Sequence, residues 1–335
     1  MAKTKSIPTL EDLAAHADVS VATVSRVINR SGPVSKELEE RVKEAMKALG
    51  KEKSRPAVVV CIVQEVMNPS FATAVTGMQE EAEKLDIHLI LVPVSENSDN
   101  PRNLNVLKYI TVDGVILHHI GIKPEVVLDL CNNLDVPMIV LRKYPAAPQI
   151  HCIDADREGG MYQATKFLLH LNHKDIAYLS GPSEPEFSKA RLRGIEKALT
   201  EANLTLQEDF HRGCLPTIDD GFRVTNNLLH LPGGQRPTAI LAYNDLVAVG
   251  ALHAIRNAGL KVPDDISVIG FDNIYLASHT NPPLTTVAQP HYQKGQIALQ
   301  KLSSYLKGYQ IDQGGLTLLE CSLVVRESTG LCNRE

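Results

Sequence analysis

One set of side chains near the N-terminus has types and spacing suited to reading a flat molecular edge. Arg26 is the long hydrogen-bond donor on a predicted helical face that is otherwise short, with Val21 and Ala22 a turn earlier. A guanidinium donates two parallel hydrogen bonds to a planar acceptor edge, and guanine offers such an edge in the major groove. Short apolar side chains beside it can pack on base edges or on thymine methyl groups. This segment therefore predicts contact with the bases of double-stranded DNA.

A second set of polar side chains lies in the other half of the chain. Arg191, Asn244 and Asp272 are each expected just past the end of a strand, where they would face a cleft. A planar donor fork, an amide and a carboxylate together can bracket the vicinal hydroxyls of a sugar or the edge of a purine. Asn244 and Asp272 have a second interpretation, in which they only cap the helices that follow. The positive charges of Lys143 and Lys189 would suit an anionic ligand, although both residues also fit ordinary surface positions.

The motifs of the common enzyme classes do not occur in this sequence. It has no G-x-S-x-G elbow, no Walker A sequence and no G-x-G-x-x-G after the first predicted strand. His118 and His119 follow a predicted strand, but no nearby carboxylate or cysteine completes a metal site. We therefore expect neither an enzyme, nor a cofactor, nor a metal site.

The elements that would carry the first set are short helices within the first fifty residues. Thr9 is a good N-cap with Asp12 in a capping-box arrangement, and Ser20 and Ser35 open two further helices. Ala17-Asp18-Val19 provides a tight turn between the first two. Two short helices set at an angle by a tight turn form a helix-turn-helix, which places its second helix in the major groove.

The elements that would carry the second set alternate between strands and helices over most of the remaining chain. We predict strands at 57–63, 88–93, 114–117, 138–141, 176–180 and 268–271, with helices at 71–85, 101–110 and 160–171. Such alternation is typical of a doubly wound α/β fold, here in two lobes. Ligands in these folds bind beyond the carboxyl ends of the strands.

Bulk composition indicates a globular protein with a mildly basic head. Residues 1–56 carry 11 lysines and arginines against 8 acids, whereas the rest carries 23 against 31, for a formal net charge of −5. That asymmetry fits a nucleic-acid-binding head on an acidic body. The sequence has no long apolar run and no secretory signal, so we expect a cytoplasmic protein that contacts no membrane. Its six cysteines show no C-x-x-C spacing and are expected to be free thiols, most of them buried.

The segment from Thr9 to Asn29 resembles the N-terminal signature of the lactose-repressor/galactose-repressor (LacI/GalR) family of bacterial transcriptional regulators. The resemblance implies a helix-turn-helix in which Val21, Ala22 and Arg26 read bases. The side chains that it places against the phosphates, which position the head without specifying sequence, are Thr9, Ser20, Thr23, Ser25 and Asn29.

The rest of the chain is similar to the ligand-binding core of the same family, which resembles periplasmic sugar-binding proteins. Motifs that carry this resemblance include Asp113-Gly-Val-Ile116, Arg191-Leu-Arg-Gly194, Asn244-Asp245 and Ile266-Ser-Val-Ile-Gly-Phe-Asp272. It implies that Arg191, Asn244 and Asp272 contact a small effector. Further candidates are a hydroxyl (Ser70), a carboxylate that faces the cleft in relatives (Asp156), and four aromatic rings that could equally be core residues: Phe71, Phe187, Phe222 and Tyr243.

The sequence departs from the family between Leu49 and the first strand. The usual hinge motifs, Tyr-x-Pro-Asn and later Ala-Arg-x-Leu, are missing, and no leucine is available there to enter the minor groove. A six-residue tether spans at most ~20 Å when extended. The departure puts DNA bending, half-site spacing and the usual coupling of effector to head in question.

We therefore predict a three-helix helix-turn-helix DNA-binding domain at 1–50, a shortened linker at 51–56, and an effector-binding and dimerisation core at 57–335. The predicted function is repression at a palindromic operator by a homodimer. We expect a small polar effector, of the carbohydrate class, to control its affinity for the operator. The alternative is a sensor or solute-binding protein that binds DNA weakly because the hinge helix is absent.

Overall fold

The computed structural model describes residues 9–29, 32–49, 55–63, 69–94, 102–118, 121–143, 150–181, 186–231, 235–307 and 315–334. These residues fall into two compact units, one within Met1–Ala57 and Asp86–His88 and the other within Val58–Leu85 and Leu89–Glu335. Gly50 and residues 51–54 of the predicted linker lie outside the described residues. No helix in the described ranges is long and apolar enough to cross a lipid bilayer.

The N-terminal unit contains helices α1 (Leu10–Ala17), α2 (Val21–Asn29) and α3 (Lys36–Ala48). Each helix contributes to one small core, because apolar residues recur on one face at helical spacing. The fully or nearly fully buried members of this core are Leu13, Ala14, Ala17, Val24, Val42 and Ala45. The predicted three-helix head is thus confirmed.

Side-chain caps define where these helices begin. The Thr9 hydroxyl accepts a hydrogen bond from the Asp12 amide, and the Asp12 carboxylate accepts one from the Thr9 amide at 2.7 Å. The Ser20 hydroxyl accepts from the Thr23 amide at 3.1 Å, and the Ser35 hydroxyl accepts from the Leu38 amide. These groups satisfy backbone donors that the first turn of a helix leaves unpaired.

The first of the two lobes is built on a six-stranded sheet, whose strands lie in the larger unit except for Ala57, Ile87 and His88. Its strands are β1 (Ala57–Val63), β2 (Ile87–Pro93), β3 (Gly114–His118), β4 (Met138–Val140), β5 (His151–Ala155) and β11 (Leu316–Leu319), in the order β11-β5-β4-β3-β1-β2. Helices α4 (Pro69–Leu85) and α5 (Pro124–Leu134) belong to this lobe. The helix predicted at 101–110 is a 3-10 helix at Arg102–Lys108. A segment of about two turns is too short for apolar periodicity to separate the two helix types.

The second lobe has a six-stranded sheet of matching design. Its strands are β6 (Ile176–Ser180), β7 (His211–Gly213), β8 (Ala239–Ala242), β9 (Ser267–Asp272), β10 (Thr285–Ala288) and β12 (Ser322–Val324), in the order β12-β10-β9-β8-β6-β7. Helices α6 (Arg157–His170), α7 (Glu186–Glu201), α8 (Ile218–Leu229) and α9 (Asp245–Asn257) belong to this lobe. The central strands pair in parallel, and only the edge pair β10–β12 among those with described register is antiparallel. Two doubly wound lobes are as predicted.

The chain passes between the lobes near 155–157, 288–291 and 319–322. At the second of these crossings β10 leads into α10 (His291–Leu306), which packs along α4 in the first lobe. At the third, β11 in the first sheet is followed after two residues by β12 in the second. The crossings therefore bring residues of both lobes close together in space.

The cysteines are free thiols, and Cys61, Cys131, Cys152, Cys214 and Cys321 are buried. Burial raises the pKa of the Cys61 and Cys131 thiols to about 12, so both stay protonated at neutral pH. They act as small core residues, as predicted.

Candidate functional site

The face of α2 opposite the head core carries the side chains predicted to read bases. Val21 is 43% exposed, and Ala22 and Arg26 are also exposed, whereas Val24 is completely buried. The helix is held by one side and leaves the other free. An exposed guanidinium beside short apolar side chains has the composition that contact with base edges requires.

Three of the side chains predicted to contact phosphates, those of Thr9, Ser20 and Thr23, have hydrogen-bond partners within the head. Thr9 and Ser20 cap helices, and the Ser20 hydroxyl lies 2.8 Å from that of Thr23. Ser25 is half-buried, and the side chain of Asn29 lies outside the described residues. Capping does not prevent a hydroxyl at a helix start from reaching a phosphate, since exposed first-turn groups bind anions readily.

An ion pair that the sequence did not indicate fixes the turn between α1 and α2. Asp18 has a left-handed backbone conformation with φ 50° at the end of α1. Arg41 on α3 donates to the Asp18 carbonyl at 3.1 Å and to its carboxylate at 3.0 Å. This contact spans 23 residues of sequence, so spacing alone could not reveal it.

In the larger unit, Arg191 is the most enclosed of the predicted ligand-binding groups. It lies on the second turn of α7 rather than at a strand end, and it is only 3% exposed. Its guanidinium carbon lies 4.3 Å from the ring centre of Tyr243 and 4.2 Å from that of Phe271. Gly181 allows this arrangement, because a Cβ there would overlap the Tyr243 ring.

The sandwiched guanidinium has unused hydrogen-bonding capacity. Its Nε and one terminal nitrogen are buried and have no hydrogen-bond partner among the described residues. Burial by itself would lower the pKa of Arg191, but Tyr243 and Asp272 raise it above its ordinary value, so the group is charged. Buried donors without partners are costly, and a ligand that accepts from them would recover that free energy.

Asp272 lies at the end of β9, 4.0 Å from Arg191. Its carboxylate accepts hydrogen bonds from Gln289 and, at 3.4 Å, from His291. Burial would raise the pKa of Asp272, but His291, Arg191 and Gln289 lower it below its ordinary value, and the carboxylate stays ionised. Its φ of 112° lies in the left-handed region, a strain that is found at ligand-binding sites. The described contacts give Asp272 no helix-capping role.

Asn244 shows the capping role that was the alternative interpretation of its position. Its side-chain oxygen accepts from the Val247 amide at 2.9 Å at the start of α9. The next residue, Asp245, accepts from the Ile274 amide at 2.8 Å and from the Thr286 hydroxyl. Burial and the charge of Asp272 raise the pKa of Asp245 to about 8. Through its two hydrogen bonds, Asp245 joins the loop after β9 to strand β10.

A cavity of about 400 Å³ lies beside Asp272. Ser70 and Thr73 at the start of α4 line it from the first lobe, and Asp272, Asn273 and Ile274 line it from the second. Residues of the second and third crossings complete it: Ala288, Gln289, Pro290, His291, Tyr292, Gln293, Glu320 and Ser322. Its size suits a small molecule, and its lining is rich in polar groups.

The structure brings together some of the predicted ligand contacts but not others. Arg191, Tyr243 and Asp272 form one cluster, and Ser70 lines the cavity next to it. Phe71 is buried against the ring of His118 at 4.4 Å. The remaining predicted residues have other surroundings: Asp156 caps α6 through the Gly159 amide, Phe222 lies half-buried on α8, and the side chain of Phe187 lies outside the described residues.

Sequence reasoning missed Phe271, Gln289 and His291. Phe271 reads as an ordinary apolar residue of a buried strand, and only the fold shows that it stacks on Arg191. Gln289 and His291 do carry a signal, since they follow directly after β10, where strand ends are expected to face a ligand.

Comparison with known proteins agrees with both units. Residues 9–50 match the family model for bacterial regulatory proteins of the lacI family, and residues 165–329 match that for a periplasmic binding protein-like domain. The transcriptional repressor PurR of Histophilus somni is 34% identical over 309 residues, which cover 89% of this chain and 91% of that protein.

Two solved structures extend the likeness to almost the whole chain. The transcriptional regulator CelR in complex with cellobiose superimposes with a TM-score of 0.73 at 30% identity, covering 96% of this chain and 99% of that one. The lac repressor dimer bound to operator and the anti-inducer ONPF also has a TM-score of 0.73, at 28% identity, with 97% and 100% covered. With a helix-turn-helix head, a two-lobed core and relatives of this similarity, the chain belongs to the lacI family of bacterial regulatory proteins.

Proposed function

We propose that this protein is a homodimeric transcriptional repressor that binds a palindromic operator through α2. Binding of a small polar effector raises or lowers its affinity for that operator. The observation that carries the proposal is the exposed face of α2, where Val21, Ala22 and Arg26 take no part in the head core. A single helix-turn-helix reads one half-site, so a two-fold operator calls for two chains. A protein with this task works in the cytoplasm, where the DNA is.

The effector would bind at the cluster of Arg191 and Asp272 and in the adjoining cavity. Unused donors on Arg191 and the carboxylate of Asp272 together suit a ligand that both accepts and donates, as the hydroxyls of a carbohydrate do. The cellobiose bound by the similar regulator CelR supports this class. Lys143 and Lys189 are exposed and do not line the cavity, which argues against a role in anion binding.

We propose the domain division 1–50, 51–56 and 57–335 for this activity. The family model for the head ends at residue 50, and the first strand begins at Ala57. This interval is short for a hinge that inserts a side chain into the minor groove. It supports a second candidate function, in which the protein senses a solute and binds DNA only weakly.

Binding of the full-length chain to a palindromic fragment from its own upstream region separates the two candidates. A repressor would saturate the fragment at nanomolar concentration as a dimer, and a scrambled fragment would bind roughly 1000-fold more weakly. Weak binding that is equal on both fragments and disappears with added salt would contradict the repressor and favour the sensor. Adding cellobiose to the preformed complex tests the effector arm separately.

A further inference from the structure

The crossings between the lobes enclose a group of charges for which the proposed repressor function does not account. Lys294, on the first turns of α10, is only 2% exposed. Its ammonium donates to the Leu141 carbonyl at 2.9 Å and lies 3.7 Å from the Asp154 carboxylate at the end of β5. Asp154 also pairs with Arg157 at the start of α6 and accepts from the Lys143 amide at 2.8 Å. We call Asp154, Arg157 and Lys294 the crossing cluster.

The crossing cluster joins parts that belong to different lobes. Asp154 lies on a strand of the first sheet, whereas Arg157 begins a helix that packs on α7 in the second lobe. Lys294 lies on the helix that follows the second crossing and packs on α4. With two cations and one carboxylate, the cluster holds an excess of positive charge away from water. Its electrostatic field is therefore weakly screened.

His291 contacts the carboxylate of Asp272 and interacts electrostatically with Lys294 and Arg157 of this cluster. It is 7% exposed, it lines the cavity, and its Nε2 lies 3.4 Å from Asp272. The other ring nitrogen, Nδ1, is buried without a hydrogen-bond partner among the described residues. A neutral ring that donates from Nε2 to the carboxylate would leave the Nδ1 lone pair available to a ligand donor.

The charged groups that face His291 oppose one another. Asp272 on β9 favours the protonated ring, while Lys294 on the same helix and Arg157 on α6 disfavour it. Glu320 at the third crossing lines the same cavity. Burial has the largest effect, and with the two cations it lowers the pKa of His291 below its ordinary value. The balance depends on the charge of Asp272, which is the group that an effector would contact.

We propose that His291 is a positioning residue that couples effector binding to the release of one proton. An effector that donates hydrogen bonds to Asp272 satisfies part of its negative charge, and one that donates to Nδ1 requires an unprotonated nitrogen there. Both effects favour the neutral imidazole, so a proton bound at His291 passes to the solvent when the effector enters. The inference rests on the proposed effector site at Asp272.

Proton coupling would make the regulator respond to acidity as well as to its effector. By linkage, effector affinity falls about tenfold for each pH unit once the pH drops below the titration midpoint of free His291. In an acidified cell, the same effector concentration would then change the affinity for the operator by less.

NMR titration of the histidine ring nitrogens in the full-length protein tests the coupling without any ligand. Asp272→Asn mimics a carboxylate whose charge has been satisfied, and we expect it to move the His291 midpoint down by about one pH unit. Lys294→Met removes a repelling cation and should move the midpoint up by a similar amount. His291→Gln identifies the resonance. A midpoint that stays in place in both variants, or a ring that is protonated at neutral pH, would overturn the proposal.

Cellobiose serves as the probe in a second arm, with calorimetry at one pH below and one pH above the His291 midpoint found by the NMR titration. Binding by the wild-type protein should weaken at the lower pH, and that pH dependence should vanish in His291→Gln whatever its affinity. Equal binding at both pH values in the wild type would contradict the proposal. Operator binding by the same samples reports on the repressor function alone, because α2 holds no part of this site.

Discussion

The face of α2 and the Arg191–Asp272 cluster both place an arginine beside apolar side chains, but they do so in opposite environments. Arg26 is exposed to solvent, whereas Arg191 is 3% exposed between two aromatic rings. An exposed side chain can be removed without leaving a cavity or an unpaired charge, but a buried one cannot. Function and stability should therefore separate in the head and remain linked in the cleft and its crossings.

The largest expected effect is on the crossing cluster. Asp154→Ala leaves Arg157 and Lys294 buried without their carboxylate, and we expect it to lower the free energy of unfolding of the larger unit by about 3–5 kcal/mol. Chemical denaturation measures this change. As a control, Asp209→Ala removes a surface pair with Arg212 and should cost less than about 1 kcal/mol. Similar values for both variants would show that burial does not distinguish the two sites.

The same carboxylate predicts a response to acid. Its pKa is lowered to about 2: burial would raise it, but Arg157 and Lys294 outweigh that effect. A carboxylate with a lowered pKa contributes stability that is fully present above its unfolded pKa, near 4, and is lost as the pH falls towards 2. The melting temperature of the wild type should drop more steeply than that of Asp154→Ala over this range. Parallel curves would contradict the assignment.

Next in size is Arg191→Lys, which keeps the charge but removes the planar group between Tyr243 and Phe271. We expect the free energy of unfolding to fall by about 2 kcal/mol, and cellobiose binding to weaken in parallel. Calorimetry gives both quantities. Arg193→Lys, two residues later on the exposed side of α7, is the matched control. Weakened binding with full stability would break the link between function and stability in the cleft.

Arg26→Ala should show the opposite pattern. Loss of a bidentate base contact weakens binding to the operator by about 1–3 kcal/mol, roughly 5- to 150-fold, without moving the melting temperature. Lys47→Ala removes the same charge from the exposed side of α3 and should weaken binding to all DNA sequences equally or not at all. Gel-shift titration on operator and scrambled fragments distinguishes the two. Unchanged discrimination would mean that α2 is not the reading helix.

The smallest effect concerns the cap of α1. Thr9→Ala breaks the capping box with Asp12 and should destabilise the head by about 1 kcal/mol, while Thr9→Ser should not. Amide hydrogen exchange in α1 reports on the head alone. Protection that is equal in the two variants would show that the cap contributes nothing.

The sequence by itself determined the head in some detail. Helix caps and helical spacing depend only on residues a few positions apart. The three helices and the exposed face of α2 could therefore be predicted from the caps at Thr9, Ser20 and Ser35 and from the spacing of the buried residues. The alternation of strands and helices likewise determined the class of the core and its two lobes. The helix predicted at 101–110 is of the 3-10 type at Arg102–Lys108, which apolar spacing does not distinguish from an α-helix over so short a segment.

Only the tertiary structure decided which polar groups meet. Asp272 and His291 are 19 residues apart, Lys294 and Leu141 are 153 apart, and each pair comes from elements that the sequence places independently. The same applies to Phe271, whose role depends on a guanidinium that reaches it from α7. Local patterns fix elements because their physics is local, whereas the burial and pairing of charges depend on how the lobes pack. The site was therefore predicted in part and the crossing cluster not at all.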